Sequence, residues 1–141
     1  MKTFTTLAAA AFAAAGIAGS AHAAAHMMAP GLMAEDQDVS NGVVSASKVM
    51  ASENGWLVVH RTDAEMKPGP VVGHAPIRAG ETDDVAAILT EDVAAGEMLM
   101  LMVHSEAGGT QTGIFEYTLG ATEDGPVRVD DALVMTVITA Q

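Results

Sequence analysis

Seven consecutive residues, Met98-Leu99-Met100-Leu101-Met102-Val103-His104, set the tightest limit on how this chain can fold. In an extended strand successive side chains point to opposite faces. Met98, Met100, Met102 and His104 therefore share one side, and Leu99, Leu101 and Val103 share the other. Both sides are apolar, so the strand belongs in the middle of a domain, covered on both faces. One of those faces is rich in sulfur and ends in an imidazole.

The rest of the chain is cut by turn chemistry about every ten residues, the spacing of an all-β fold. Val43 to Met50 reads as a strand, and Ser52-Glu53-Asn54-Gly55 after it carries the Asn-Gly signal of a hairpin. Trp56 to Arg61 is dense in β-branched and aromatic residues. Lys67-Pro68-Gly69-Pro70 breaks the ladder, and Val71 to Ile77, interrupted by Pro76, reads as an edge strand. Asp84 to Leu89 is a further strand, with a short helix as the alternative. Glu91 to Gly96 is a loop ahead of the methionine strand. Gly113 to Leu119 alternates Phe115, Tyr117 and Leu119 against Glu116 and Thr118, and Ala132 to Thr139 closes the series. The spacing predicts an all-β, antiparallel, immunoglobulin-like or cupredoxin-like β-sandwich of about seven strands. Trp56 is the expected central plug, because Phe115 and Tyr117 are the only other aromatic residues after the leader.

Residues 1–23 read as a secretory signal peptide. Lys2 supplies the positive start, Leu7 to Ala18 the apolar run, and Ala21-His22-Ala23 the cleavage site. The run is shorter than the roughly 20 apolar residues of a membrane span, so no span is expected in the mature chain, and the address is periplasmic or extracellular. Residues 24–42 mix methionine, proline and acids without periodicity and are expected as a flexible arm, with the β-domain at 43–141. The whole chain holds no cysteine, so disulfides and thiolate sites are excluded although the expected compartment is oxidising.

Without Lys2, five basic residues stand against eighteen acidic ones, and 5 − 18 gives a net charge of −13. Such a surface repels nucleic acid and anionic membrane. No P-loop, nucleophile elbow, dinucleotide fingerprint or zinc-protease motif is present, and the acids cluster in turns such as Thr82-Asp83-Asp84 and Glu123-Asp124-Gly125. The expectation is a non-catalytic protein.

Several segments together carry a family likeness: Asn54-Gly55-Trp56-Leu57-Val58-Val59-His60, the run Pro68 to Gly80, Gly96 to His104, Gly113 to Tyr117, and Asp124 to Val129. In this order they resemble an uncharacterised family of small secreted domains of unknown function, found in bacterial exported proteins and haloarchaeal surface proteins. The resemblance spans roughly Val43 to Thr139. It implies an extracytoplasmic immunoglobulin-like sandwich and no particular activity. The family pattern is more aromatic in the strand before the histidine that His104 matches, and methionines stand there in this chain.

Copper is the cofactor this composition suits. Thioether and imidazole are soft or borderline ligands that favour copper, above all Cu(I), and nine methionines and four histidines follow the leader. Methionine is also an ordinary core filler, so Met98 and Met100 are expected as packing. Met102 and His104 lie nearer the strand end and are the candidate ligands, with His60 beside them if the two strands are neighbours. His26, Met27 and Met28 form a second candidate set in the arm, together with Met33, because a histidine at or near a new N-terminus can chelate Cu(II). His74, next to Pro76, is expected to be exposed. The function expected is an exported binding or structural module of the cell envelope, with a periplasmic copper-binding protein as the alternative.

Overall fold

The computed structural model describes residues 29–141. The signal peptide, the beginning of the arm and the candidate ligands His26, Met27 and Met28 lie outside the described residues. Nine strands are present in it: β1 (Gly31–Met33), β2 (Val43–Ala51), β3 (Gly55–Thr62), β4 (Val71–Ile77), β5 (Gly80–Leu89), β6 (Met98–Ser105), β7 (Arg128–Val129), β8 (Ala132–Leu133) and β9 (Met135–Thr139). Seven of them form one antiparallel sheet in the order β1-β2-β5-β4-β3-β6-β9, and β7 and β8 form a small hairpin.

The expected all-β antiparallel fold is found, as one sheet that curls until its edges nearly meet. Gln37, just after β1, bridges Ala140, just after β9, in parallel, and the Thr139 amide donates to Asp36 Oδ1 at 2.7 Å. The result is barrel-like. The concave side holds the main core: Val44, Ala46 and Val49 of β2, Leu57 and Val59 of β3, Val72 of β4, Ala87 of β5, Leu99, Leu101 and Val103 of β6, and Ile138 of β9. These residues are excluded from water because curling the sheet brings every strand's apolar side to one centre.

Four local expectations are corrected. The segment expected as an arm enters the sheet at β1, which pairs with β2, and Val39 is buried in the core. Asn54-Gly55 is not a hairpin turn, since β2 pairs with β1 and β5 and never with β3. The chain crosses there from one side of the sheet to the other, and Asn54 Oδ1 instead accepts the Ala79 amide at 3.0 Å. β4 is not an edge strand, for it lies between β5 and β3. Its pairing with β5 is confined to Gly73 and His74, so Pro76 sits where β5 has already left and its missing N–H costs no ladder bond on that side. Gly113 to Leu119 forms no strand, because β6 already has β3 and β9 as neighbours and offers no free edge.

Candidate functional site

β3 and β6 pair along their whole length, with Trp56 opposite His104, Val58 opposite Met102 and His60 opposite Met100. The convex face of this pair is therefore a second apolar layer of Trp56, Val58, His60, Met100, Met102 and His104, separate from the main core. The long connection from β6 to β7 roofs it. That connection folds back through backbone bonds from Ser105 N to Gly125 O (3.0 Å) and from Val127 N to Val103 O (2.8 Å). Its extended stretch turns Phe115 and Tyr117 down onto the layer. Phe115 stacks on His74 with centroids 4.3 Å apart and meets Trp56 edge-on at 5.4 Å. Tyr117 meets His104 edge-on at 4.5 Å and His60 at 5.9 Å. Trp56 is thus the plug of this outer layer and not of the main core.

The layer contains two histidines that face each other. His60 and His104 are 0% and 1% exposed, and their Nε2 atoms are 3.5 Å apart. Their ring centroids are 5.5 Å apart, so both rings present their Nε2 edges inward. His60 Nδ1 lies 2.8 Å from the Gly69 carbonyl and His104 Nδ1 lies 2.6 Å from the Asp124 carbonyl. A carbonyl only accepts, so each Nδ1 carries the proton and donates. In the neutral rings both Nε2 atoms then hold lone pairs directed into one small space. Burial pushes the His104 imidazole down to about 4, partly opposed by its bond to the Asp124 carbonyl, and a charge on His60 pushes the same way as burial. Burial likewise lowers His60, against the favourable Gly69 contact, and lowers His74.

Asp124 completes the cluster. Its side chain is 1% exposed; Oδ2 accepts the Glu116 amide at 2.8 Å, and Oδ1 is buried without a partner. Among the described residues the buried polar or charged side chains are His60, His104 and Asp124, and the Asp124 carbonyl ties the acid to one of the two imidazoles. Further out, Glu116 ties the roof to itself. Its carboxylate accepts the Thr110 hydroxyl and the Thr110 and Gln111 amides, contacts that hold it below the usual carboxylate range.

The sequence places Met102, His104 and His60 in one site, and these three do share one covered face. Met102 and His104 do not reach solvent as their position near the strand end suggested, since both are about 1% exposed; the 106–127 connection covers that end. Met100 is buried as expected and Met98 partly so. His74 is exposed, as expected, and carries Phe115 on one face of its ring. Met33 points outward, 58% exposed. Gly69, Asp124, Phe115 and Tyr117 were not anticipated. Pro68-Gly69-Pro70 and Asp124-Gly125-Pro126 are two rigid turns whose carbonyls fix the two rings, and only the turns were legible. Among the described residues no group of three or more His, Cys, Asp or Glu side chains converges as a metal site, so any ion here would depend on the histidine pair and thioether sulfur.

A family model described as a domain of unknown function, DUF7282, matches residues 30–141. The chain belongs to that family. The DUF7282 match starts one residue before β1 and so takes in the whole curled sheet and its roof. No curated protein and no solved structure matches the chain. No helix among the described residues is long and apolar enough to cross a membrane.

Proposed function

We propose that this DUF7282 chain is an exported, non-catalytic binding or structural module of the cell envelope, acting in the periplasm or outside the cell. The observation that supports a non-catalytic role is the enclosure of its polar cluster. His60 and His104 are sealed under the 106–127 roof and Asp124 is buried within it, and a general acid or base must come within hydrogen-bond reach of its substrate. Export rests on the leader read in residues 1–23. Fractionating cells that produce the full chain tests it: a product beginning at Ala24 or His26, found in the periplasm or medium, is expected. An uncleaved chain retained in the cytoplasm overturns the reading.

A second reading, a copper-binding protein, is favoured by the two Nε2 atoms that face each other at 3.5 Å. Two neutral rings with converging lone pairs repel unless a proton or a metal ion lies between them. The thioethers of Met100 and Met102 on the same face make a soft metal the better fit. Metal analysis of the purified protein, followed by anaerobic Cu(I) competition, tests this. About one tightly held ion is expected for a single two-histidine site, and affinity no better than that of a free methionine-rich peptide removes it.

A further inference from the structure

We infer that the His60–His104 pair, with the Met102 sulfur as third donor, is a trigonal site for a monovalent soft cation, Cu(I) or its redox-inert mimic Ag(I), and not for Zn(II) or Cu(II). The inference rests on the copper reading and adds the geometry, the oxidation state and the third ligand.

The angle comes first. A metal ion about 2.0 Å from each imidazole nitrogen and bound to two nitrogens 3.5 Å apart subtends an N–metal–N angle of about 120°. A linear two-coordinate ion would need the nitrogens about 4 Å apart at the same bond length. The separation found therefore leaves a third position in the plane. Zinc in a structural site takes four ligands, and Cu(II) prefers a tetragonal set of nitrogen and oxygen donors. Two imidazoles sealed from water supply neither, and no third His, Cys, Asp or Glu converges on them among the described residues.

The register supplies the third donor. His60 stands opposite Met100 and His104 opposite Trp56, so the two rings are anchored at positions separated by one intervening same-face pair. They can meet only by leaning over that intervening pair, which is Val58 and Met102. Met102 is the member with a donor atom, and it is buried. It also lines a cavity of about 410 Å³ with Pro68, Tyr117, Leu119, Pro126 and Arg128. That cavity reaches Met102 and Tyr117 from the roof side.

The test uses the purified chain, freed of metal, titrated anaerobically with Cu(I) and separately with Ag(I) against a chromophoric chelator. Parent protein, Met102→Leu and Met100→Leu are compared. The leucine variants conserve volume and should fold, and any copper held by His26, Met27 or Met28 is common to all three. One ion per chain is expected, with an X-ray absorption spectrum showing two nitrogen donors and one sulfur donor. Met102→Leu is expected to lose at least an order of magnitude in affinity and the sulfur signal, and Zn(II) is expected not to compete. A Met102→Leu protein that binds as the parent does, a loss that falls on Met100→Leu instead, or equal competition by Zn(II) overturns the trigonal assignment while leaving copper binding intact. Failure of the parent protein to bind Cu(I) removes the copper reading itself.

Discussion

Acidification of the metal-free domain should cost stability well before its carboxylates titrate. His104 sits at about 4 in the folded domain, against about 6.5 for an unperturbed histidine. Between those two values the unfolded chain binds a proton on this ring and the folded domain does not. Stability is therefore full above about pH 6.5 and falls continuously as the pH drops toward 4. At about 1.4 kcal/mol per unit, His104 alone accounts for a loss of about 3 kcal/mol at the acid end of the window. His60, also lowered by burial, acts in the same direction, while sharing of one proton between the two Nε2 atoms opposes part of the loss. A domain of this size holds about 5–15 kcal/mol in all, so the effect is large enough to measure. Carboxylates held low, such as Glu97, Asp38 and Glu116, also lose stability on acidification but in a lower window: their contribution is present above about pH 4.5 and disappears below it. Urea unfolding between pH 7.5 and about 5, above the glutamate window, followed by the fluorescence of Trp56, the one tryptophan in the chain, isolates the histidine effect. The midpoint should fall steadily across that range with little change in slope against urea, and His104→Gln should flatten the fall. A midpoint that stays level from pH 7 to 5, or a His104 titration near 6.5 by NMR, would refute the assignment of a buried, neutral ring.

Three further outcomes follow from the packing. In Gly55→Ala the new methyl group would lie 2.1 Å from the His104 carbonyl oxygen and 3.2 Å from the Ser105 Cα; backbone atoms cannot swing aside, so β3 and β6 must separate, and chemical denaturation should show a loss of about 3 kcal/mol or more. Leu101→Ala, at a fully buried position of the main core, should cost about 2–5 kcal/mol, whereas Met100→Leu on the outer layer should cost under about 1.5 kcal/mol; equal losses in thermal melts would contradict the two-layer description. Arg61→Ala removes bonds to Glu97 Oε1 and the Asp92 carbonyl, both at 2.7 Å, which pin the loop before β6. Because the guanidinium is partly exposed, the loss should be about 1 kcal/mol and smaller in high salt, as read from melting temperatures at two ionic strengths.

The parts of the fold legible in the sequence are those where one strand carries its own evidence. β2, β3 and β6 announce themselves through alternation or density of β-branched and apolar residues, and the two apolar sides of β6 correctly imply cover on both faces. β5 was legible only from Asp84 because its first half is Gly80-Glu81-Thr82-Asp83. That half is a strand by virtue of its partner, with Lys48 of β2 bonded to Glu81 at 2.7 Å and close to Asp83 at 3.6 Å. β4 reads as an edge because Pro76 suggests one, yet proline excludes a neighbour only at its own N–H, and a strand splayed from β5 after His74 satisfies that locally. The Asn-Gly signal misleads for a related reason. It reports a tight reversal of the chain and not which strands lie on either side of it.

The site divides along the same line. That His60 and His104 could meet was legible, since each lies on a strongly marked strand and strand pairing would bring their faces together. What seals and orients them was not, because the roof is irregular chain. Phe115 and Tyr117 alternate like strand residues, and alternation reports only an extended backbone with one side against an apolar surface. A segment draped over a sheet satisfies that condition as fully as a strand within it does. The same limit applies to the two carbonyls that set the tautomers, since Gly69 and Asp124 contribute backbone atoms and any residue type could supply them. Fixing both Nδ1 protons is nevertheless what turns a buried histidine pair into a site with two free lone pairs. The residues that give the pair its chemistry therefore leave little mark in the sequence, and the marks that are visible, a methionine stripe and two strand-borne histidines, acquire meaning only under the roof.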